Sequence, residues 1–239
     1  MRNYFVNFLW FVCSIMLNAL GNSFMIISHL GSSPWTAAGQ NLGSILPFSI
    51  GTCIIILNLF SFILSYLMKT KFTLIMIAKS MGLTFIYGMF VDMFVSLHEA
   101  VYVPDDIWIR CLYSFIELNF IAIAISIYFQ ASSIYLPSDY LLKSFGELMN
   151  NYKIGTIICM LIPLSTSVVI ILLQHHVIGL GISTLLFVFG SGFLIDYYNR
   201  WIVLNKYKRF WCKDCICLKE VYSVLLVFTL MKLFQIVGE

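Results

Sequence analysis

The chain has 239 residues, 61% hydrophobic and only 10% charged, with a formal net charge of +3 and a mean hydropathy of +0.94. Soluble domains carry about 25% charged residues, so a water-soluble fold is excluded and lipid must be the solvent for most of the chain. The length leaves no room for a large extramembrane domain, and the seven cysteines do not follow a secreted disulfide framework: Cys13, Cys53, Cys111 and Cys159 sit in apolar stretches, as small core residues do.

After Arg2 an apolar run continues to about residue 30. It is too long for a signal-peptide core and lacks a small-residue cleavage site, so it reads as a retained first helix. A hydrocarbon core of about 30 Å needs roughly 20 apolar residues per helix. On that criterion six helices are predicted, at residues 4–28, 50–68, 72–96, 108–130, 153–173 and 178–198. A shorter apolar stretch, 221–237, has Thr229, Lys232 and Gln235 on one side of a helical wheel. It either spans or lies in the interface as an amphipathic helix, and the polar side favours the interface.

The basic residues set the orientation. With the N-terminus inside, the inner segments hold Arg2, Lys69, Lys71, Lys143, Lys153, Arg200, Lys206, Lys208, Arg209, Lys213 and Lys219, and the outer segments hold Arg110. That bias predicts a multi-pass protein with a cytosolic N-terminus. The outer loop after the third helix is acidic (Glu99, Asp105, Asp106), and Tyr102 and Trp108 suit an aromatic belt there. His175 and His176 form a short outer loop and read as solvent-facing polar residues rather than metal ligands.

Two connections are unusually long. Residues 31–49 carry no charge and hold Gly31, Ser32, Ser33, Pro34, Trp35, Gly39, Gly43 and Pro47; residues 131–152 hold Ser132, Ser133, Pro137, Ser138, Asp139 and Gly146. These segments correspond. Pro34 and Pro137 are 103 positions apart, as are Gly43 and Gly146; at a shift of 104, Ile50-Gly51-Thr52 matches Ile154-Gly155-Thr156, Gly88 matches Gly192 and Asp92 matches Asp196. Each unit holds three helices, an odd number, so the second unit must enter from the opposite side. The expected fold is therefore an all-α membrane protein of six transmembrane helices arranged as two inverted three-helix repeats, 1–100 and 101–200. A basic cytosolic tail, 201–239, follows with its C-terminal hydrophobic helix. Around the prolines, backbone groups freed from the helix could face a ligand; alternatively the prolines simply end helices one and four at the membrane surface.

Leu30-Gly31-Ser32-Ser33-Pro34-Trp35, with Gly43 and Ser49-Ile50-Gly51, resembles the YczE/YyaS/YitT family of bacterial membrane proteins. Leu136-Pro137-Ser138-Asp139 is similar to that family's Pro-x-Asp segment, and Val177-Ile178-Gly179-Leu180-Gly181-Ile182-Ser183-Thr184 to its glycine-rich sixth helix. The resemblance spans about residues 10–200. It implies a bacterial cytoplasmic membrane, a six-helix core and no settled activity, some relatives being grouped with exporters. The family often has an acidic residue just after Pro-Trp; here that position is Thr36, which leaves only Asp139 of any carboxylate pair.

Ionisable groups at membrane depth are costly and so mark function. Lys79 lies about 10 Å in from the inner end of its helix and Glu117 about 13 Å in from the outer end, at ~1.5 Å per residue. Both approach the middle third, as a static ion pair or as a charge-coupling site in which Glu117 titrates. Asp92 and Asp196 read as gate or helix-end residues, or as ordinary interfacial carboxylates. Asn18 and Asn22 share one helix face, to bond a neighbouring helix or line a polar cavity. Trp35 is either an aromatic wall or an interfacial anchor.

Cys212, Cys215 and Cys217 lie in a basic stretch without a nearby histidine, short of the four ligands of a structural zinc site. Lys206, Lys208, Arg209 and Lys213 suit anionic headgroups. No phosphate-binding Gly-rich loop with Lys-Ser/Thr, His-Glu-x-x-His or Gly-x-Ser-x-Gly occurs, so no enzyme, cofactor or metal is expected and an ATP-driven pump is excluded for the single chain.

The expected function is a small-molecule secondary transporter or permease, in the exporter sense by resemblance. Its substrate site would be lined by Asn22, Ser33, Pro34, Trp35, Pro137, Ser138 and Asp139. The expected partners are the lipid bilayer and an unidentified small molecule, with homo-oligomerisation left open and no nucleic acid. The alternative is a non-transporting membrane protein that senses a ligand or binds a partner through its tail.

Overall fold

A computed structural model describes residues 2–68, 70, 72–132, 134–149, 152–175, 178–202 and 204. Cys212, Cys215, Cys217, the stretch 221–237 and His176 lie outside them. The described chain is all helix: α1 (Arg2–Ser28), α2 (Pro34–Ile45), α3 (Ile50–Leu67), α4 (Leu74–Val101), α5 (Ile107–Ala131), α6 (Pro137–Leu148), α7 (Tyr152–Gln174) and α8 (Ile182–Trp201). Four stretches, Phe5–Ser28, Ile50–Leu67, Leu74–Val101 and Ile107–Ala131, are long and apolar enough to cross a membrane. Large apolar side chains such as Phe60, Ile63, Phe115, Leu173 and Phe193 point outward, as lipid requires and water would penalise. The chain is an all-α membrane protein.

The two long connections differ from a plain loop. Each contains a break followed by a 12-residue helix that begins on its proline. The reason is local. Proline lacks the N–H that a first helical turn leaves unpaired anyway, and its fixed φ suits that position. The preceding residue is pushed into extended backbone: Ser33 has ψ 149° and Leu136 ψ 152°. Ser33 then caps α2 by accepting from the Thr36 N–H, as Ser49 caps α3 through Thr52 and Thr73 caps α4 through Met76.

At the first break the turn needs a glycine. Gly31 has φ +113°, and a Cβ there would lie 2.6 Å from the Gly181 nitrogen. The close approach lets Ser32 N–H donate to the Gly179 carbonyl at 2.7 Å and Ser183 N–H to the Leu30 carbonyl at 3.0 Å. The loop before α8 thereby satisfies backbone groups that, left unpaired in hydrocarbon, would cost several kcal/mol each.

Packing centres on α1 against α5, where Gly21 admits Ile121 and Phe120. Helix α1 also packs on α4, and α5 on α8; α2 packs on α3, and α6 on α7. Across these groups α2 reaches α7 and α6 reaches α3. The main core joins Ile15, Ala19, Ile26 and Ile27 of α1 with Tyr87, Val91 and Val95 of α4 and Tyr128 of α5. Serine and threonine hydroxyls such as Ser61, Ser65 and Thr84 bond back to their own turns, so these add polarity without orphaned donors.

Candidate functional site: a polar belt at the two helix breaks

At the first break, Ser33 N–H donates to the Met25 sulfur at 2.8 Å. The Ser33 hydroxyl donates to Thr36 Oγ1 at 2.8 Å, and the Thr36 hydroxyl donates to Asn22 Oδ1. Asn22 in turn donates through Nδ2 to Tyr87 Oη at 2.9 Å and to Asn18 Oδ1 at 2.8 Å. Asn22 precedes the end of α1 by six residues, about 9 Å of helix rise. The chain has thus folded back alongside α1 before α2 starts, and Ser33, Pro34, Thr36 and Asn22 are all buried.

At the second break, Leu136 N–H donates to Tyr128 Oη at 2.6 Å, and the Tyr128 hydroxyl donates to Asp139 Oδ2 at 3.1 Å. Ser138 N–H donates to Asn58 Oδ1 at 3.2 Å. Asn58 is nine residues from the C-terminal end of α3, about 14 Å in, so the start of α6 reaches the middle of that helix. Ser80 of α4 donates to the Tyr135 carbonyl at 2.6 Å and pins the break from the other side.

Tyr87 connects the two. It closes the Asn22 side by hydrogen bond and is an electrostatic neighbour of Asp139. Of the residues singled out in the sequence, Asn22, Ser33 and Pro34 lie at the first break and Pro137, Ser138 and Asp139 at the second, along a polar belt in which Tyr87 bonds Asn22 and feels the Asp139 charge. Trp35 is half-buried next to Pro34. Beside the first break lies a cavity of about 190 Å³ lined by Met25, His29, Gly31, Gln40, Gly179 and Leu180. It abuts Met25, whose sulfur holds the Ser33 N–H.

The expected meeting of Lys79 and Glu117 does not occur. Glu117 is fully buried at the α1–α5 crossing, its carbonyl oxygen next to Gly21, and neither carboxyl oxygen has a hydrogen-bond partner. Lys79 is exposed. The two residues have comparable depths, but α4 packs on α1 and α3 and presents Lys79 outward. An ion pair, Lys143–Glu147, lies on the surface of α6 and involves neither residue.

Asp92 holds a helix start. Its Oδ1 accepts from Gly51 N–H at 2.7 Å and its Oδ2 from the Ser49 hydroxyl at 2.6 Å, a favourable place for a carboxylate at the positive end of α3. Gly51 makes this possible by passing so close to α4 that a Cβ would meet the Gly88 carbonyl oxygen at 2.2 Å. The Asp196 side chain lies outside the described residues.

Sequence reasoning did not single out Asn58, Tyr87 or Tyr128. An asparagine within an apolar helix is a detectable signal for Asn58. The tyrosines gave none, being two among 13 tyrosines and 21 phenylalanines.

No curated protein matches the chain, and no solved structure matches it. A family of unknown function, DUF6198, matches residues 5–200. That span takes in all eight helices but for the ends of α1 and α8. The match names no activity and does not itself tie the chain to the YczE/YyaS/YitT family suggested by the motifs. The chain belongs to the DUF6198 family of unknown function.

Proposed function

We propose that the chain is a small-molecule secondary transporter or permease, exporting across a bacterial cytoplasmic membrane, with its substrate site between two inverted three-helix halves. In this reading α7 and α8 also span, giving six spans with a cytosolic N-terminus, and α2 and α6 are re-entrant helices entering from opposite faces. The observation that carries it is the polar belt: two proline-started helices turn back into the protein and bring Asn22, Thr36, Tyr87, Asp139 and Tyr128 together. Broken backbone at membrane depth is tolerated where it is buried in protein or lines a cavity, and paired breaks between inverted halves are a recurrent transporter plan.

The packing supports the inversion. The pairs α1–α4 and α5–α8 correspond, as do α2–α3 and α6–α7, and the cross pairs α2–α7 and α3–α6 exchange under the same operation, whereas the α3–α4 packing has no α7–α8 equivalent of similar extent among the described residues. The motif resemblance to the YczE/YyaS/YitT family is part of this reading and is the basis for the bacterial membrane and the outward direction. Glu117, buried without a partner, carries the coupling proton. Lys79, facing out, takes no part. Asp92 steadies the outer end of α3 as a gate residue, and the cavity at Gly31 and Gly179 is the outer vestibule.

The test has two stages. Purified protein in nanodiscs is screened by thermal stability against metabolites, lipids and antibiotics; a ligand at about 100 times its dissociation constant should stabilise by roughly 2.7 kcal/mol. Its flux is then followed in proteoliposomes under an imposed proton gradient. Gradient-driven flux that is lost in the Glu117→Gln, Asp139→Asn double variant supports the reading. Unaltered flux in that variant removes the coupling role, and a bound ligand that never crosses the bilayer removes transport.

A further inference from the structure

We propose that the belt receives a lipophilic organic monocation, its charge paired with Asp139 and its apolar body laid against the tyrosines of the second break. The inference rests on the transport reading above and adds the class of substrate.

The sign of the charge follows from the interior. Among the described residues the buried side chains include Glu117 but no lysine or arginine. The basic residue within α4, Lys79, is exposed, and Arg110 at the start of α5 donates to the Pro104 carbonyl at the end of the bundle. No basic side chain pairs with Asp139 among the described residues. A carboxylate removed from water without a counter-ion is costly, and a cation arriving from outside the chain would supply the complementary charge.

The shape follows from the surroundings. Asp139 Oδ2 is held by the Tyr128 hydroxyl, and the Leu136 backbone N–H also faces the carboxyl. Asp139 as a residue is half-buried. The hydroxyls of Tyr87, Tyr128, Tyr135 and Tyr140 are all electrostatic neighbours of the carboxyl. The rings pack on one another: Tyr128 and Tyr135 meet edge to face at 5.8 Å, as do Tyr135 and Tyr140 at 5.8 Å, and Phe11 stacks on Tyr128 at 6.0 Å. Ring faces attract a cation within about 6 Å, more strongly once water is removed.

Other ligand classes fit less well. A hard metal ion needs six or more oxygen ligands, whereas the side chains around Asp139 are mostly rings. An anion would find a carboxylate and no base. A neutral ligand would displace water from Asp139 and leave its charge unmatched. One carboxylate matches one positive charge.

Equilibrium binding of tetraphenylphosphonium and ethidium to the full chain in nanodiscs is the test, with protein-free nanodiscs subtracted and the equally large anion tetraphenylborate as the charge control. Saturable binding of the cations, absent for the anion, weakened at least tenfold in Asp139→Asn and restored towards wild type in Asp139→Glu, is expected. Folding of each variant is read by its melting temperature, and Tyr135→Leu, which leaves the carboxyl in place, should weaken the cations without admitting the anion. No saturable cation binding to folded protein, or equal binding by Asp139→Asn, overturns the inference. A neutral or anionic ligand that depends on Trp35 and is transported would overturn the charge class while leaving the transport reading intact. Cations that bind through Asp139 but never cross a proteoliposome would do the reverse.

Discussion

The two helix breaks share a backbone plan and differ in chemistry. In each, the residue before the proline donates its N–H to the tip of a side chain eight positions earlier: Ser33 to Met25 and Leu136 to Tyr128. In each, the second residue after the proline faces the interior, as Thr36 in one and Asp139 in the other. The first break is thus neutral, built from hydroxyls and amides, with a thioether as its weak acceptor. The second is acidic and aromatic, with a phenol that accepts from Leu136 and donates to Asp139. The backbone plan needs only an acceptor and a proline. The side chains then decide where charge resides, and here it resides in one half.

Breaking that comparison gives a ranked set of outcomes. The largest concerns the turn itself. Gly31→Val places a branched side chain at φ +113° against Gly181, and combined strain and overpacking should cost about 3 kcal/mol or more. The residue 103 positions on is Ile134, so Ile134→Val should cost only about 1 kcal/mol. Melting temperatures in one detergent compare them, and equal losses would show that the breaks do not differ in backbone demand.

Next is the charge. Asp139→Asn should lower flux of the transported ligand at least about tenfold, the ~1.4 kcal/mol or more of a charged contact, whereas Thr36→Ala should lower it about threefold, within the range of one neutral hydrogen bond. Comparable losses at the two positions would make the site symmetric and contradict the assignment of charge to the second half.

A smaller effect lies in the acceptors. Tyr128→Phe leaves the Leu136 N–H and Asp139 without their shared partner and should cost about 1–3 kcal/mol of stability. Met25→Leu removes a weak sulfur acceptor and nearly conserves volume, so it should cost less than about 1.5 kcal/mol. Denaturation of the two variants side by side reads the difference. The smallest effect is expected at Lys79: with its side chain exposed, Lys79→Gln should leave both stability, within about 0.5 kcal/mol, and gradient-driven flux unchanged. A large loss of flux would return it to the coupling site.

Much of this architecture was legible in the residues. The six long helices lie within about a turn and a half of the ranges read from apolar runs, and four of them contain a stretch with the length and apolarity a membrane span needs. The breaks were legible because Pro34 and Pro137 sit among small and polar residues without apolar periodicity. The short helices behind them were not, since 12 residues carrying Gly39, Gly43, Ser138 and Gly146 read locally as loop and gain their stability from packing on α3 and α7. Depth could be counted for Lys79 and Glu117, but azimuth could not. A helix that is apolar on most of its surface does not announce which face meets its neighbours. The same ambiguity hid Tyr87 and Tyr128, whose hydroxyls matter only because each is met by a polar group at a helix break, Asn22 for one and Leu136 and Asp139 for the other.

The central claim is that the two breaks enter from opposite faces and meet inside. Single cysteines at His29 and Met149, both exposed, in a background lacking the native cysteines, can be labelled with a membrane-impermeant maleimide in right-side-out and inverted vesicles. The account predicts that His29→Cys labels only from outside and Met149→Cys only from inside. Labelling of both from the same face would contradict the inverted arrangement, and with it the shared interior site.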